Sequence, residues 1–227
     1  MADESSLYPR SSYSLEGSDL IAASLLRSVA RGTYIDVGAN HPMIQSNTRY
    51  FYERGWRGLA IDGNGRFERQ WRDHRPNDIF VAALVSDAIK SVEFFVYPDH
   101  TMSTIEPDSA ARYSSRYGQE HVEKQVRETT TLFDLKNRHL QRGEVHLLSV
   151  DVEGEDLNCL VGAKLDLWTP GVIVVETKHL SVYRVLENDI VGYLASIGYR
   201  LIAKTPLDAF FVFPTKPYLD WIPSTII

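Results

Sequence analysis

Short apolar runs alternate with amphipathic stretches along most of the chain. The apolar runs predict strands at residues 34–37, 59–62, 79–85, 145–152 and 172–176. The amphipathic stretches predict helices at residues 15–29, 67–72, 132–140, 157–165 and 182–197, and one more through Tyr50 and Phe51 to Gly55. Because strands that are separated by helices need crossover connections, we expect a mostly parallel sheet. Two last runs, residues 200–204 and 209–213, predict a terminal hairpin that adds one antiparallel strand.

The alternation of strands and helices is interrupted in the middle of the chain. Residues 91–97 alternate between polar and aromatic positions, which is typical of a half-exposed strand, and residues 121–131 could form its antiparallel return. Residues 100–118 are polar and show no helical stripe. We interpret residues 91–130 as a lid-like insertion that covers a substrate at the edge of the sheet. A surface excursion without function is the alternative.

The length and composition fit one α/β domain. The chain has 227 residues, 44% of them hydrophobic, which is enough for a substantial core. We assign residues 31–227 to this domain and residues 1–30 to an N-terminal arm and helix. Residues 1–14 show no periodicity, so we expect the arm to be flexible.

Charge and cysteine content narrow the class of protein. The net charge is -6 and no basic cluster occurs, so a nucleic-acid partner is not expected. The single cysteine, Cys159, excludes an internal disulfide framework and suits a reducing compartment. No apolar run approaches the roughly 18 residues of a membrane helix, and the polar N-terminus is unlike a signal peptide. We therefore expect a cytoplasmic protein.

Each of the five predicted parallel strands ends at an acidic residue. The acids are Asp36, Asp62, Asp87 (after Ser86), Asp151 with Glu153, and Glu176. One such acid is readily explained as a helix cap, but five caps in a row are much less plausible. Open α/β sheets bind ligands at this carboxyl edge. A ring of acids there suits a ligand with hydroxyl groups, an ammonium group or another positive centre rather than a polyphosphate.

The sequence of the turn after the first strand indicates which nucleotide cofactor the chain could bind. It reads Gly38-Ala-Asn40-His-Pro42, without the Gly-x-Gly-x-x-Gly that lets a backbone approach a pyrophosphate. Asp62 follows Asp36 by about 26 residues, near the interval expected for a ribose-binding acid. This pattern disfavours NAD and ATP and fits S-adenosylmethionine, whose ribose offers a diol to Asp62 and whose ammonium and sulfonium groups favour acids.

Several motifs resemble the FkbM-type S-adenosylmethionine-dependent methyltransferases. They are residues 36–42 (DVGANHP), 46–48 (SNT), 52–58 (YERGWRG), 103–104 (ST), 149–155 (SVDVEGE) and 174–176 (VVE). The resemblance implies S-adenosylmethionine as cofactor and the class I methyltransferase fold, a Rossmann-like three-layer α/β structure. Its seven-stranded sheet is mostly parallel, with an antiparallel C-terminal strand. One departure is Asp62-Gly63-Asn64, where many relatives carry Glu-Pro; Asp62 can still hold a ribose diol, but its side chain is shorter than that of Glu.

We predict ten cofactor-binding residues. They are Asp36, Gly38, Ala39, Asn40, Thr48, Asp62, Asn64, Ser86, Asp87 and Asp151. Asp36 would face the methionine ammonium group, and Gly38 would let the backbone approach the cofactor closely. Asn40 would hold the methionine end of the cofactor, and by analogy with the fold Ser86 and Asp87 would lie beside the adenine.

The same resemblance implies methyl transfer to hydroxyl groups of sugars, glycolipids or polyketide-like metabolites. A hydroxyl is a poor nucleophile, so we expect a base, with Asp151 first, then Glu153, and Glu176 behind them. His179 and His41 follow strands and are further candidates. Glu153 could equally be a helix cap. We assign no metal ligand, although Asp151, Glu153 and Glu176 could instead ligate Mg²⁺.

The predicted partners are a small-molecule or glycan acceptor and, in a homodimer, a second copy of the chain. Two other functions remain alternatives. One is a small-molecule-binding module that keeps the fold without catalysis. The other is a methyltransferase that acts on amino groups of protein or nucleic acid.

Overall fold

The structure, a computed structural model, describes residues 11–117, 123–140, 143–177, 181 and 183–223, apart from the side chains of residues 116 and 117. In chain order its elements are α1 (Ser18–Leu25), β1 (Thr33–Val37), α2 (Arg49–Tyr52), β2 (Arg57–Asp62), α3 (Glu68–His74), β3 (Ile79–Ala82), β4 (Leu84–Val85), β5 (Ser91–Val96), α4 (Pro107–Tyr117), β6 (Glu123–Thr130), α5 (Leu132–His139), β7 (Leu147–Val150), α6 (Asp156–Gly162), β8 (Val172–Glu176), α7 (Asp189–Ser196), β9 (Arg200–Lys204) and β10 (Asp208–Val212). The predicted arm falls largely on residues 1–10, outside the described residues.

Seven strands form the main sheet, in the order β3–β2–β1–β7–β8–β10–β9. Neighbours from β3 to β8 are parallel, and β10 runs antiparallel to both β8 and β9. The prediction of a mostly parallel seven-stranded sheet with an antiparallel C-terminal strand is confirmed. All five residues of β8 are buried, as expected for a parallel strand with a layer on each face.

Adjacent residues of the strands pack into two separate apolar cores, one on each face of the sheet. Ile35 belongs to the core that α5, α6 and α7 complete, and Cys159 lies within it. Tyr34, the preceding residue, belongs to the core that α1 and α2 complete. Because successive strand residues point to opposite faces, this split produces three layers. The carboxyl ends of the parallel strands are left as the place for a ligand.

The predicted strand at residues 79–85 is two strands in two sheets. β3 ends at Ala82, and β4 pairs with β6 in a three-stranded sheet of order β4–β6–β5. The hydrogen bonds show where the chain changes sheet. The N–H of Ala83 still donates to the Asp62 carbonyl at the end of β2, whereas the N–H of Ser86 donates to the Thr130 carbonyl of β6. Ser86 and Asp87 therefore do not follow a strand of the main sheet, contrary to the prediction.

The insertion contains the predicted antiparallel pair, since all of β5 pairs with residues 123–128 of β6. The prediction that residues 100–118 lack a helix is wrong, because α4 lies there. Its start is marked by Pro107 in the first turn and by the Glu106 carboxylate, which accepts hydrogen bonds from the N–H groups of Asp108 and Ser109. The buried residues of α4 include Ser109 and Ala110, which are too small or too polar to produce an apolar stripe.

Two other predicted helices are shorter in the structure. The predicted helix at residues 15–29 is a 3₁₀ turn followed by α1, and it ends at Leu25. In the predicted helix at residues 182–197, residue 182 lies outside the described residues and a 3₁₀ turn, Val185–Glu187, precedes α7. The Asn188 side chain caps α7 by accepting from the Ile190 N–H at 2.8 Å, a start signal that divides the segment. None of the helices in the described ranges is long and apolar enough to cross a bilayer.

Candidate active site

Gly38, which follows β1, has no room for a side chain because the backbone that follows β7 lies close to it. The N–H groups of Gly38 and Ala39 donate to the Ile61 carbonyl at 2.9 and 3.0 Å, and the Asp151 N–H donates to the Val37 carbonyl at 2.9 Å. A Cβ on Gly38 would lie 1.7 Å from the Asp151 carbonyl oxygen. The position also has a φ of +78°, so only glycine fits its space and its conformation. This close approach of the protein backbone was not foreseen in the sequence, which suggested only an approach to the cofactor.

Asp62, at the end of β2, holds both sides of the turn. Its Oδ2 accepts from the Asn40 N–H at 2.9 Å, and its Oδ1 accepts from the Asn64 N–H at 2.6 Å. Burial raises the pKa of Asp62 to about 6 and outweighs these two hydrogen bonds, which act in the opposite direction. The carboxylate is half-buried and lines the first of the two clefts described below.

Asp36 and Thr48 lie beneath the turn, not in a cleft. The Thr48 hydroxyl donates to Asp36 Oδ2 at 2.5 Å and accepts from Nη2 of the buried Arg75 at 2.9 Å. Arg75 also donates to Asp78 at 2.8 Å and to the Tyr34 hydroxyl at 2.6 Å. Burial raises the pKa of Asp36, while the Thr48 hydrogen bond and the Arg75 charge lower it. The structure therefore gives Asp36 and Thr48 partners within the protein, and neither residue lines the first or the second cleft.

A cleft of about 370 Å³, the first cleft, lies at the carboxyl ends of β1, β2 and β7. Residues of the turn, the strand ends and the insertion line it, among them Gly38, Asn40, Asp62, Phe94, His100 and Asp151. Two polar atoms here, Asn40 Oδ1 and His100 Nδ1, are buried without a hydrogen-bond partner in the described part of the chain. Buried polar atoms normally have partners, so these two mark places where a ligand could bond.

The other two predicted cofactor residues near the turn, Ala39 and Asn64, do not line this cleft. Ala39 is buried in a small core with Trp71, behind the turn. The Asn64 side chain accepts from the Arg66 N–H at 3.2 Å and so caps a 3₁₀ turn. Their side chains stabilise the loops around Asp62, and only the backbone N–H of Asn64 contacts its carboxylate.

Ser86 and Asp87 also lie outside the cleft, because the chain has already left the main sheet. Ser86 is buried and donates to Glu155 Oε2 at 2.8 Å. Asp87 pairs with Lys90 at 2.9 Å, with both side chains 41% exposed. The hydrogen bond from Lys90 lowers the pKa of Asp87. The apolar residues Leu84 and Phe94 line the cleft where these two were expected.

Three carboxylates from two neighbouring strands form a group that we name the carboxylate cluster. Its members are Asp151 and Glu153, which follow β7, and Glu176, which ends β8. One oxygen from each residue lies within 4.8 Å of the others. Asp151 and Glu153 are half-buried, and Glu176 is buried. The structure therefore brings together the three acids that the sequence predicted as candidate bases.

The loop after β7 holds Glu153 in a defined orientation. Glu153 has a φ of +54°, a backbone conformation that residues other than glycine rarely adopt. The Tyr113 hydroxyl of α4 donates to Glu153 Oε2, and the Thr104 hydroxyl donates to its carbonyl at 2.9 Å. The Asp156 carboxylate closes the loop by accepting from the N–H groups of Val152 and Gly154 at 3.1 and 3.2 Å. The residue at the N-cap position of α6 is Glu155, so Glu153 does not lie at the capping position that was its alternative.

A second cleft, of about 710 Å³, lies on the other side of the carboxylate cluster. Arg112 and Tyr113 of α4 line it opposite Thr177 and Asn188. Glu153 and Glu176 line both clefts. The carboxylate cluster thus stands where two adjoining clefts meet, so that ligands in the two clefts would meet at these acids.

Neither of the two predicted histidine bases joins this group in the described structure. His179 lies outside the described residues. The ring of His41 packs edge-on against Phe67, and its Nδ1 accepts from the Met43 N–H at 3.1 Å. Burial lowers the pKa of His41. His41 is absent from the lining of both clefts.

The first cleft fits the predicted cofactor, S-adenosylmethionine, in its chemistry. Asn40 Oδ1 is an unpartnered acceptor for an ammonium group, and the Asp62 carboxylate can accept from ribose hydroxyls. Leu84 and Phe94 offer an apolar wall to an adenine ring. His100 was not foreseen. Only its position in the polar part of an insertion hinted at a role, and a polar stretch is a weak signal.

The chain matches a known protein family over most of its length. The family model for the methyltransferase FkbM domain matches residues 36–201. No curated protein matches the chain. Among solved structures, a TehB-like SAM-dependent methyltransferase from Corynebacterium glutamicum aligns with 12% identity over 85% of this chain and 86% of that chain, with a TM-score of 0.41. A precorrin-6y C5,15-methyltransferase from Geobacter metallireducens aligns with 11% identity over 92% and 94% of the two chains, with a TM-score of 0.43.

The family match extends from the end of β1 to β9 and includes the turn, the insertion and the carboxylate cluster. It covers well over half of the chain. The sheet has the strand arrangement that the resemblance implied, and the first cleft has the acceptors that the cofactor needs. The chain therefore belongs to the FkbM family and is an S-adenosylmethionine-dependent methyltransferase of the class I fold.

Proposed function

We propose that this methyltransferase is an O-methyltransferase that acts on a hydroxyl group of a saccharide, a glycolipid or a secondary metabolite. The observation that carries the proposal is the position of the carboxylate cluster at the junction of the two clefts. A donor in the first cleft and an acceptor in the second would meet beside these acids. Carboxylates suit an acceptor that must lose a proton.

The first cleft would hold the cofactor through a small set of residues. Asp62 would accept hydrogen bonds from the ribose diol, and Asn40 would accept from the methionine ammonium group. Leu84 and Phe94 would contact the adenine. The bound cofactor supplies an electrophilic methyl group, and its sulfur takes the electron pair of the broken carbon–sulfur bond.

The protein's own contribution is position and proton transfer. Holding the acceptor oxygen in line with the methyl carbon is worth about 7–11 kcal/mol in well-oriented reactions. Asp151 would accept the hydroxyl proton as the oxygen bonds to carbon, a role worth about 10²–10⁴ in rate. Glu153 is the next candidate for this base, with Glu176 behind it and His179 as a further candidate. Tyr113 would orient Glu153 from the insertion, in keeping with a lid-like role of residues 91–130.

The acceptor side of the proposal rests on the second cleft. Arg112, Tyr113, Thr177 and Asn188 present donors and acceptors around a volume that is typical of small-molecule sites. Such a lining suits an acceptor with several hydroxyl groups. Transfer to amino groups of protein or nucleic acid, and a binding module without catalysis, are the outcomes that would contradict the proposal. Assembly as a homodimer and a cytoplasmic location stay predictions.

The test has two parts. Calorimetry should show that S-adenosylhomocysteine binds and that NAD does not. Transfer of radiolabelled methyl from S-adenosylmethionine should then be measured to a panel of saccharides, nucleotide sugars and polyhydroxylated metabolites, with peptides and oligonucleotides as comparison acceptors. We expect label in the hydroxylated acceptors, in a product that resists the treatments that cleave methyl esters. Label in peptides or oligonucleotides alone would refute O-methylation, and binding without transfer to any acceptor would favour the non-catalytic module.

A further inference from the structure

We propose that the carboxylate cluster binds one divalent cation, Mg²⁺ or Mn²⁺, at the junction of the two clefts. The three ligands would be Asp151, Glu153 and Glu176, which come from the ends of two adjacent parallel strands. Carboxylate oxygens are the donors that these hard cations prefer. From the sequence alone we assigned no metal here and left Mg²⁺ as an alternative. The arrangement of the side chains favours that alternative.

The distances between the carboxylates fit a shared ion. Two ligands of one cation lie no further apart than twice the metal–oxygen distance, which is about 4.2 Å for Mg²⁺ and about 4.8 Å for a cation bound at 2.4 Å. One oxygen from each of Asp151, Glu153 and Glu176 lies within 4.8 Å of the others. Ligands in cis positions on Mg²⁺ lie about 3.0 Å apart, so the three side chains would move closer together around a bound ion.

A buried hydroxyl group beside the cluster gives an independent indication of a ligand. Thr177 follows Glu176, is only 4% exposed and lines the same cleft as Glu153 and Glu176. Its Oγ1 is buried and has no hydrogen-bond partner in the part of the chain that the structure describes. A hydroxyl at such a place can donate to a ligand carboxylate or to water held by the ion. Either bond would satisfy a hydroxyl group that has no partner among the described residues.

The surroundings also hold the ligands in place before an ion binds. Tyr113 donates to Oε2 of Glu153, and Thr104 donates to the Glu153 carbonyl. The Asp156 carboxylate fixes the backbone on either side of Glu153, because it accepts from the N–H groups of Val152 and Gly154. Metal-ligating carboxylates are commonly oriented by hydrogen bonds of this kind. The strained φ of Glu153 is the conformation in which this support holds its carboxylate next to Asp151.

The role of the ion rests on the proposed function, but its binding does not. In an O-methyltransferase the cation would bind the acceptor hydroxyl and a neighbouring hydroxyl in the second cleft. It would lower the pKa of the coordinated hydroxyl, and the released proton would pass to a carboxylate oxygen of Asp151. The preferred acceptor would then carry two adjacent hydroxyl groups.

The experiment measures Mn²⁺ binding to the full chain by electron paramagnetic resonance, with Mg²⁺ as competitor. We expect one Mn²⁺ per chain, displaced by Mg²⁺. Glu176→Gln should weaken binding by about 10–100-fold, and Thr177→Val should weaken it by a smaller factor, because it removes only a supporting hydrogen bond. The matched control is Asp73→Asn, which removes an exposed carboxylate on α3 and should leave Mn²⁺ binding unchanged.

Binding of S-adenosylhomocysteine is measured on the same samples. This measurement shows that each variant is folded, and it separates the two proposals. If S-adenosylhomocysteine binds and Mn²⁺ does not, or if Glu176→Gln binds Mn²⁺ as tightly as the unaltered chain, the metal site is refuted and the methyltransferase proposal stands. If Mn²⁺ binds as expected while no hydroxylated acceptor is methylated, the metal site is supported and the O-methylation proposal fails.

Discussion

On the β1–β2 side of the candidate site the carboxylates form hydrogen bonds with other groups of the protein. On the β7–β8 side the carboxylates lie close together where the two clefts meet. Asp36 is buried against Thr48, and Asp62 accepts two backbone N–H groups. Asp151 and Glu176 instead lie in the carboxylate cluster and line the first cleft. Both pairs consist of acids at the ends of adjacent parallel strands. Their sequence signal is the same, but their surroundings differ.

The difference teaches that an acid at a strand end has two uses in this fold. On the β1–β2 side the acids fix the turn, and under the proposed function Asn40 and Asp62 would contact the cofactor from it. On the β7–β8 side the backbone around the acids is fixed by other groups, such as Asp156 and Thr104, and the carboxylates themselves would carry the proposed chemistry. Substitutions on the two sides should therefore affect different measurable quantities.

The largest effect is expected from Asp151→Asn. If Asp151 is the base, the rate of methyl transfer to the best acceptor of the panel should fall by about 10²–10⁴. The affinity for S-adenosylhomocysteine should stay nearly constant, because the side chain keeps its shape. Asp73→Asn, on the exposed face of α3, is the control and should alter neither quantity. A rate that does not change would remove Asp151 as base.

Gly38→Ala tests the contact that joins the two sides. The added Cβ would overlap the Asp151 carbonyl at 1.7 Å and would also have to adopt a positive φ, so we expect a loss of roughly 3 kcal/mol or more in the free energy of unfolding. The matched control is Gly17→Ala, since Gly17 has the same φ of +78° and no atom within 4 Å of an added Cβ. It should lose only about 1–2 kcal/mol from the strained backbone. Equal losses in urea denaturation would mean that the approach of β7 does not matter.

The fold could be predicted from the sequence where local pattern and tertiary structure agree. β8 and β10 each contain four consecutive apolar residues, which is why their positions and the terminal hairpin were found. α4 could not be found in the same way, because it packs through small and polar residues. The split at Ala83 depends on which distant strand offers the next hydrogen bond, and no local pattern shows that.

The sequence predicted which residues come together in the carboxylate cluster better than it predicted the role of each residue. The carboxylate cluster followed from the rule that parallel strands end at one edge. The burial of Asp36 could not be seen, because it depends on Arg75, a charged residue in a polar stretch. Nothing in the sequence near Arg75 shows that it is enclosed by Asp78, Tyr34 and Thr48. Roles of this kind are set by contacts between distant segments.

Thr48→Val tests the β1–β2 side more gently. It removes the donor to the buried Asp36 and an acceptor for Arg75, so we expect a loss of about 1–3 kcal/mol in the free energy of unfolding. Because the turn loosens, the affinity for S-adenosylhomocysteine should also fall. Thr131→Val is the matched control, since its hydroxyl caps α5 away from the site. It should lose about 1 kcal/mol without a change in affinity. A fall in affinity in both variants would remove the special role of Thr48.

The smallest effect is a pH dependence that Asp62 should produce. Its pKa is about 6 in the folded protein, against about 4 in an unfolded chain. The folded state therefore binds this proton more tightly, and the contribution of Asp62 to the free energy of unfolding should fall as the pH rises from about 4 to about 6. Cofactor binding should show the opposite slope, because the ionised carboxylate is the better acceptor for ribose hydroxyls. The affinity for S-adenosylhomocysteine should rise by up to tenfold per pH unit below about pH 6 and then level off.

Calorimetry at several pH values and in buffers of different ionisation enthalpy would measure both the affinity and the protons released on binding. Asp62→Asn is the variant that separates Asp62 from its neighbours, since His100 also lines the first cleft and burial lowers its pKa. The Asp36 and Arg127 charges act on Asp62 as well and remain in that variant. We expect the variant to bind more weakly at neutral pH and to lose most of the slope between about pH 5 and pH 6. If the pH dependence of the affinity persists in Asp62→Asn, the titrating group is His100, and Asp62 only stabilises the turn.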